Sequence, residues 1–421
     1  MKNTSVFKRF KKALYRILRW SERFTRTDMV YLASGSFWMS VKRVVYAITS
    51  FIVAIMFANL FPQEAYGEYK FVLSAAALVA IFSMRGINTS YLRAVSRGYE
   101  GGLREATLLR LRWGLVASAA AGMGALYYWI QGNSGLALNF VVVGVFTPPL
   151  NALTLFIPLL NGRKQFRLSA LYETVVQTVA SVAIMVSVAL SDQVIIVLLS
   201  YFVSYTVVRA LASWWVCVRQ TPNKKQESDT LSYGVHLSAM SAVGDVASKI
   251  DSVLLWYFLG PVAVAVYSFA LLPTQHLRSF VQSTGLLALI KLSSKEKHEI
   301  KKTLPRKSFI LFLAIVPIVV LYIVLAPWLF QLVFPQYLDA VIYTQVLSLN
   351  LLFFPKVLFD SALTAHAQKK PLYLMNITGP SVNIALMLIL LPLFQIWGVV
   401  AASLITQVYK TAMFIYLFKR M

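Results

Sequence analysis

Twelve charged side chains fall inside long apolar stretches of this sequence. Four are acidic: Glu173, Asp245, Asp251 and Asp360. Eight are basic: Lys42, Arg43, Arg85, Arg209, Lys249, Arg278, Lys356 and Lys410. An ionised side chain in hydrocarbon is costly, so such residues face a cavity or a partner. Asp245 with Lys249, and Lys356 with Asp360, are four residues apart and can meet on one helix face. Each pair is either an internal salt bridge or a cavity wall whose charges a ligand can rearrange. With both pairs set aside the balance is still basic. Guanidinium pairs bidentately with phosphate and an ammonium adds a point charge, so a basic cavity selects phosphorylated anions over cations. Arg278 lies near mid-span, close to His276 and Pro273, and is expected in such a cavity. Arg85, Arg209 and Lys410 lie in the inner thirds of their stretches and are open to snorkelling toward the interface. Lys42 and Arg43 either anchor the inner end of an apolar run or, if the helix begins before them, sit deeper. The acids are the candidates for carrying a coupling ion.

Other chemistry is poorly served. The four histidines, at 236, 276, 298 and 366, include no i, i+4 pair, and Cys217 is alone. A disulfide or a Cys-rich metal site is thereby excluded, and no metal or cofactor is expected. No glycine-rich phosphate loop or nucleophile triad is present.

The composition says what must position these residues. The chain has 421 residues, 58% hydrophobic and only 13% charged, against roughly 25% charge in soluble proteins. Mean hydropathy is +0.67. A soluble enzyme, a disordered chain and a fibre are excluded. The net charge of +24 sits in short clusters between apolar runs, which fits loops retained in the cytoplasm, not nucleic-acid binding.

A bilayer core needs about 20 apolar residues per helix. Twelve such runs are expected, near 33–60, 69–88, 112–131, 137–160, 168–190, 194–217, 232–259, 261–290, 308–332, 340–364, 371–393 and 397–418. With both termini inside, the outer loops hold Glu64, Glu68, Asp192 and Asp339 but no Lys or Arg. The inner segments hold Arg93, Arg97, Arg104, Arg110, Arg163, Lys164, Arg167, Lys224, Lys225 and the cluster at 291–307. The longest outer loop is about eight residues, too little for the catalytic loop of a polymerase or ligase. Residues 1–28 read as a basic amphipathic helix on the anionic inner leaflet, an anionic-lipid contact.

The polar stretch 219–230 divides the chain into a first lobe, 29–218, and a second, 231–421. YGEYKFVLS at 66–74 and VAVYSFALL at 264–272 open equivalent spans, and NGRKQF at 161–166 matches HAQKKP at 366–371. This order predicts an all-α membrane protein of two pseudo-symmetric six-helix lobes about a central cavity. The repeat is parallel, with its axis along the membrane normal.

The chain resembles the polysaccharide-biosynthesis, or O-antigen, flippases of the multidrug/oligosaccharidyl-lipid/polysaccharide exporter superfamily. The resemblance rests on FPQEAYGEYKFVLS at 61–74, KIDSVLLWYFLGPVAVAVYSFALLP at 249–273, LFQLVFPQYLDA at 329–340 and the Asn383 region. It implies transfer of undecaprenyl-diphosphate-linked oligosaccharide from the inner to the outer leaflet of the bacterial cytoplasmic membrane. That places the chain in O-antigen, lipopolysaccharide or capsule synthesis, beside a polysaccharide polymerase and chain-length regulator. It also implies that Lys42 or Arg43, Asp251, Arg278 and Lys356 face the cavity. A drug/cation antiporter of the same superfamily is the alternative, which the basic excess disfavours.

Overall fold

The computed structural model describes residues 29–293, 297–365 and 369–420, with side chains at 35, 37–277, 298–364 and 374–420. The expected tail helix (1–28) lies outside them. Every regular element among the described residues is helical. The first half runs α1 (Met29–Leu60), α2 (Gln63–Val79), α3 (Gly86–Ser96), α4 (Leu103–Ile130), α5 (Ser134–Ala152), α6 (Phe156–Gly162), α7 (Phe166–Leu190) and α8 (Val194–Arg219). The second runs α9 (Thr230–Ala247), α10 (Ile250–Leu259), α11 (Pro261–Ser293), α12 (Lys297–Val333), α13 (Ala340–Ser348), α14 (Lys356–Ala365), α15 (Lys369–Phe394) and α16 (Ile396–Arg420).

Eight helical segments among the described residues are long and apolar enough to cross a membrane, nine if the bent pair Ala340–Phe353 and Lys356–Thr364 is one span. Three further segments expected to cross fall outside that set. Of these, the stretch of α4 after Arg112 is diluted by Gly114, Ser118, Gly122 and Gly124, the 230–259 segment is interrupted, and the second half of α11 lies beyond the described side chains. Large apolar side chains on the helix surfaces stay uncovered, Leu332 84% and Leu190 80% exposed. Those faces suit hydrocarbon, not water. The chain is a multi-pass membrane protein.

Several helices are broken. Between α2 and α3 the chain tightens into a 3-10 turn, Ala80–Ser83, and Met84 turns left-handed at φ 53°. Between α9 and α10 it unwinds at Ser248 and Lys249. Proline sits at neither break. Pro355 does lie at a bend, of 41°, between its flanking helical pieces.

Elsewhere neighbours satisfy what proline frees. Pro148 cannot donate to Gly144, whose carbonyl instead accepts the Ser118 hydroxyl at 2.6 Å. Pro327 likewise frees the Ile323 carbonyl, and Gln345 Nε2 donates to it at 2.9 Å.

Among the described residues the halves pack together most extensively at two places, and Ser50 Oγ also lies 3.5 Å from His276 Nε2 between α1 and α11. At the end remote from the basic loops, α2 packs on α11 through a fully buried aromatic cluster. Tyr66 lies 4.7 Å from Phe269, ring centre to ring centre, and Phe269 3.9 Å from Tyr337. Asn59 Nδ2 donates to the Val333 carbonyl at 3.0 Å, and Gln63 Nε2 donates to that of Gln336. At the basic-loop end, α3 packs on α9. Gly86 and Gly234 permit this: a Cβ on Gly86 would lie 2.4 Å from the Gly234 carbonyl oxygen. The Gly86 amide donates to Ser238 Oγ at 2.9 Å.

Candidate functional site

A cavity of about 270 Å³ opens where α2 approaches its break. Lys70, Leu73, Ser74, Ala77 and Ala80 share one face of that helix, at the spacing of adjacent turns, and line the wall. Arg85, at the break, continues it. Thr147, Leu150 and Asn151 of α5 and Tyr201 and Phe202 of α8 form the opposite side. Lys249, in the unwound turn between α9 and α10, is the second half's contribution. Among the described residues the charged lining side chains are Lys70, Arg85 and Lys249, with no carboxylate.

The breaks also serve the site. Arg85 precedes the first turn of α3, and Lys249 that of α10. The amides there have partners: that of Gly86 donates to Ser238 Oγ and that of Ser252 to Asp251 Oδ1, so the positive charge at the breaks is that of the two side chains. Thr147 is buried, and its hydroxyl has no hydrogen-bond partner among the described residues.

Two arginines brace the cavity from behind. Arg110 is 1% exposed. Its Nε donates to the Ser83 carbonyl at 3.0 Å, and its Nη1 to Asn88 Oδ1 at 2.6 Å and Thr154 Oγ1 at 3.0 Å. One guanidinium thus holds the α2–α3 break against the α5–α6 turn. Arg209 Nη1 donates to the Leu150 carbonyl at 2.9 Å, capping the end of α5, while its guanidinium lies 5.1 Å from the Tyr205 ring. Arg110 belongs to the interior, not to the inner loop where its sequence neighbours suggested it.

The other sequence candidates are dispersed. The α1 helix does begin before Lys42 and Arg43 and carries both well into its length. Lys42 Nζ meets Glu173 Oε1 at 2.9 Å, joining α1 to α7, so both charges are committed to one another. Arg43 is exposed on α1. The Asp245–Lys249 pair does not form: the helix ends at Ala247, which takes Lys249 out of register, and no ion pair joins them among the described residues. Asp245 stays half-buried on α9. Asp251 Oδ1 accepts the Ser252 amide at 2.7 Å in the first turn of α10. Lys356 starts α14, with Asp360 one turn on, and donates to Gln407 Oε1. The side chain of Arg278 lies outside the described residues.

At the basic-loop end the 219–230 linker is fastened to the first half. Arg163 Nε and Nη2 each donate to Glu100 at 2.7 Å, and Glu100 Oε2 accepts the Asn223 amide at 2.8 Å. Arg97 pairs with Glu227 at 3.0 Å. The Arg163 hydrogen bonds hold the Glu100 carboxyl below the usual carboxylate range, outweighing partial burial.

The sequence model of the family "Polysaccharide biosynthesis protein" matches residues 32–290, more than half of the chain. The chain belongs to that family. No curated protein sequence matches it. Among solved structures, the polysaccharide biosynthesis chain is similar to the lipid II flippase MurJ in its inward closed conformation. The TM-score is 0.66 at 12% identity, covering 92% of this chain and 87% of that one. It is also similar to an inward-facing multidrug-resistance MATE transporter of the MOP superfamily, at TM-score 0.65 and 13% identity over 92% and 98% of the chains. A MOP superfamily transporter from Pyrococcus furiosus, described as having a binding pocket of reverse polarity, gives 0.60 and 13% over 92% and 95%. The family member therefore has the MOP transporter fold.

Proposed function

We propose that this protein is a flippase that moves undecaprenyl-diphosphate-linked oligosaccharide from the inner to the outer leaflet of the cytoplasmic membrane. The observation that carries the reading is the cavity wall: Lys70, Arg85 and Lys249 line it and, among the described residues, no carboxylate does, Asp251 standing two residues beyond Lys249. A diphosphate is the part of such a substrate that these cations recognise. The three positive charges on the wall repel a cationic drug, which weighs against the antiporter reading.

At 270 Å³ the cavity is smaller than the roughly 300–1,000 Å³ of sites that hold drug-sized ligands. The oligosaccharide is admitted only when one of the two contacts between the halves parts. In this reading, with both termini in the cytoplasm, the Gly86–Gly234 contact is the inner gate and the aromatic cluster the outer one. The halves, 29–218 and 231–421, then act as two lobes that rock about the cavity in alternating access. A membrane potential negative inside drives an anion outward by roughly 2.3 kcal/mol per charge per 100 mV, so about 4–5 kcal/mol for two charges.

The experiment is in cells. Replacing Lys70, Arg85 or Lys249 by Gln should reduce surface glycan and leave the lipid-linked unit on the cytoplasmic leaflet. Undiminished glycan with altered drug tolerance would move the protein to the antiporter branch.

A further inference from the structure

A second cavity, of about 670 Å³, lies within the other half, between the basic-loop ends of α12 and α16 with α14 at its base. It shares no lining residue with the cavity already described. The bend at Pro355 turns α14 away from the preceding helical stretch where the groove forms. Its walls are aromatic and apolar, with Phe309, Phe312 and Phe418 prominent. Phe309 is 60% exposed, so the groove opens sideways onto the face that meets lipid.

Its charges are all of one sign. Lys301 and Lys419 stand at the rim, Lys356 lies deeper, and among the described residues no acid lines the groove. Lys301 Nζ donates to the Lys419 carbonyl at 3.3 Å, which caps the end of α16 and ties the two rims together. The Lys419 ammonium has no partner among the described residues. An apolar slot that opens to hydrocarbon and ends in ammonium groups at the interface matches a molecule with acyl chains and one phosphate.

We propose that this groove binds an anionic glycerophospholipid of the leaflet on the basic-loop side. Its phosphate sits against Lys301 and Lys419, and an acyl chain lies along Phe309, Phe312 and Phe418. The lipid bridges α12 and α16 beside the α14 bend and holds that bend in place. The inference is independent of what the central cavity carries.

The test is native mass spectrometry of the full chain with phosphatidylglycerol and phosphatidylcholine of identical acyl chains. The wild type should retain one phosphatidylglycerol in preference to phosphatidylcholine. Lys301→Gln with Lys419→Gln should lower that preference by about 30-fold, the equivalent of about 2 kcal/mol for two interfacial lysines. The Lys301→Gln change keeps a side-chain N–H donor for the carbonyl at 419, so the α16 cap survives it. Thr411→Trp, which fills the groove without altering charge, should also release the lipid. Retention unchanged in both variants overturns the proposal. So does displacement by equimolar undecaprenyl phosphate, which would give the groove to a polyprenyl tail, or a dimer that excludes lipid, which would give it to a second copy.

Discussion

Gly67→Ala should pry apart the aromatic contact between the halves. A Cβ on Gly67 would lie 1.9 Å from the Pro261 carbonyl oxygen and 2.5 Å from its carbon. Both are backbone atoms, so no side chain can rotate away. Ordinary contact begins near 3.4 Å, so α2 and the start of α11 must separate by the 1.5 Å between 1.9 and 3.4 Å. Overpacking of this kind costs about 1–3 kcal/mol. If opening the contact relieves it, the open population rises about 5- to 150-fold. Buried Ala58, in the same cluster, supplies the reporter: Ala58→Cys in a Cys217→Ser background, labelled with a membrane-impermeant maleimide. Ala180→Cys, buried on α7, is the control for general loosening. Faster labelling at position 58 alone is expected. Equal acceleration at both positions, or none at either, refutes the claim that this contact is a gate.

Arg110→Met strips the donor from Ser83, Asn88 and Thr154 at once and should lower stability by about 2–5 kcal/mol, read as a fall in Tm in detergent. Lys42→Gln and Glu173→Gln should each destabilise more than the double variant, with a coupling of about 1–3 kcal/mol in the double-mutant cycle. Glu100 has its acidity strengthened by Arg163, so its contribution is complete above the ordinary carboxylate pKa and fades as pH falls through the lower folded value. Limited proteolysis of the 219–229 linker should therefore start only below about pH 4 in the wild type, and at neutral pH in Glu100→Gln.

The helices were legible because burying a backbone in lipid demands about 20 apolar residues in a row, a signal too long to miss. The junction between halves was not: the segments at 66–74 and 264–272 were matched as a repeat, and nothing in a repeat says that their aromatics pack against each other, as Tyr66 does on Phe269. Nor were the breaks. Proline, the usual sequence signal of a bend, is at neither: Met84 and Lys249 unwind without one, and their partners, Arg110 for the first break and Ser238 for Gly86, come from distant segments. Lys70 was passed over because it lies near the start of its apolar run and reads as an interface residue. The row Lys70, Ser74, Ala77, one face of small and polar side chains, was the available signal. Lys42 and Glu173 read as separate functional charges because a pair 131 residues apart leaves no spacing pattern.

The fastening of the linker decides which parts of the chain share a frame of reference. Asn223, Lys225 and Glu227 are each bonded to the 97–101 turn, so the connecting segment travels with the first half although it leads to the second. Freedom of movement between the halves therefore begins no earlier than Thr230, where α9 starts. A fluorophore at Lys224 would be a fixed fiducial on the first half, and a second at His236, on α9, would register any rotation against it.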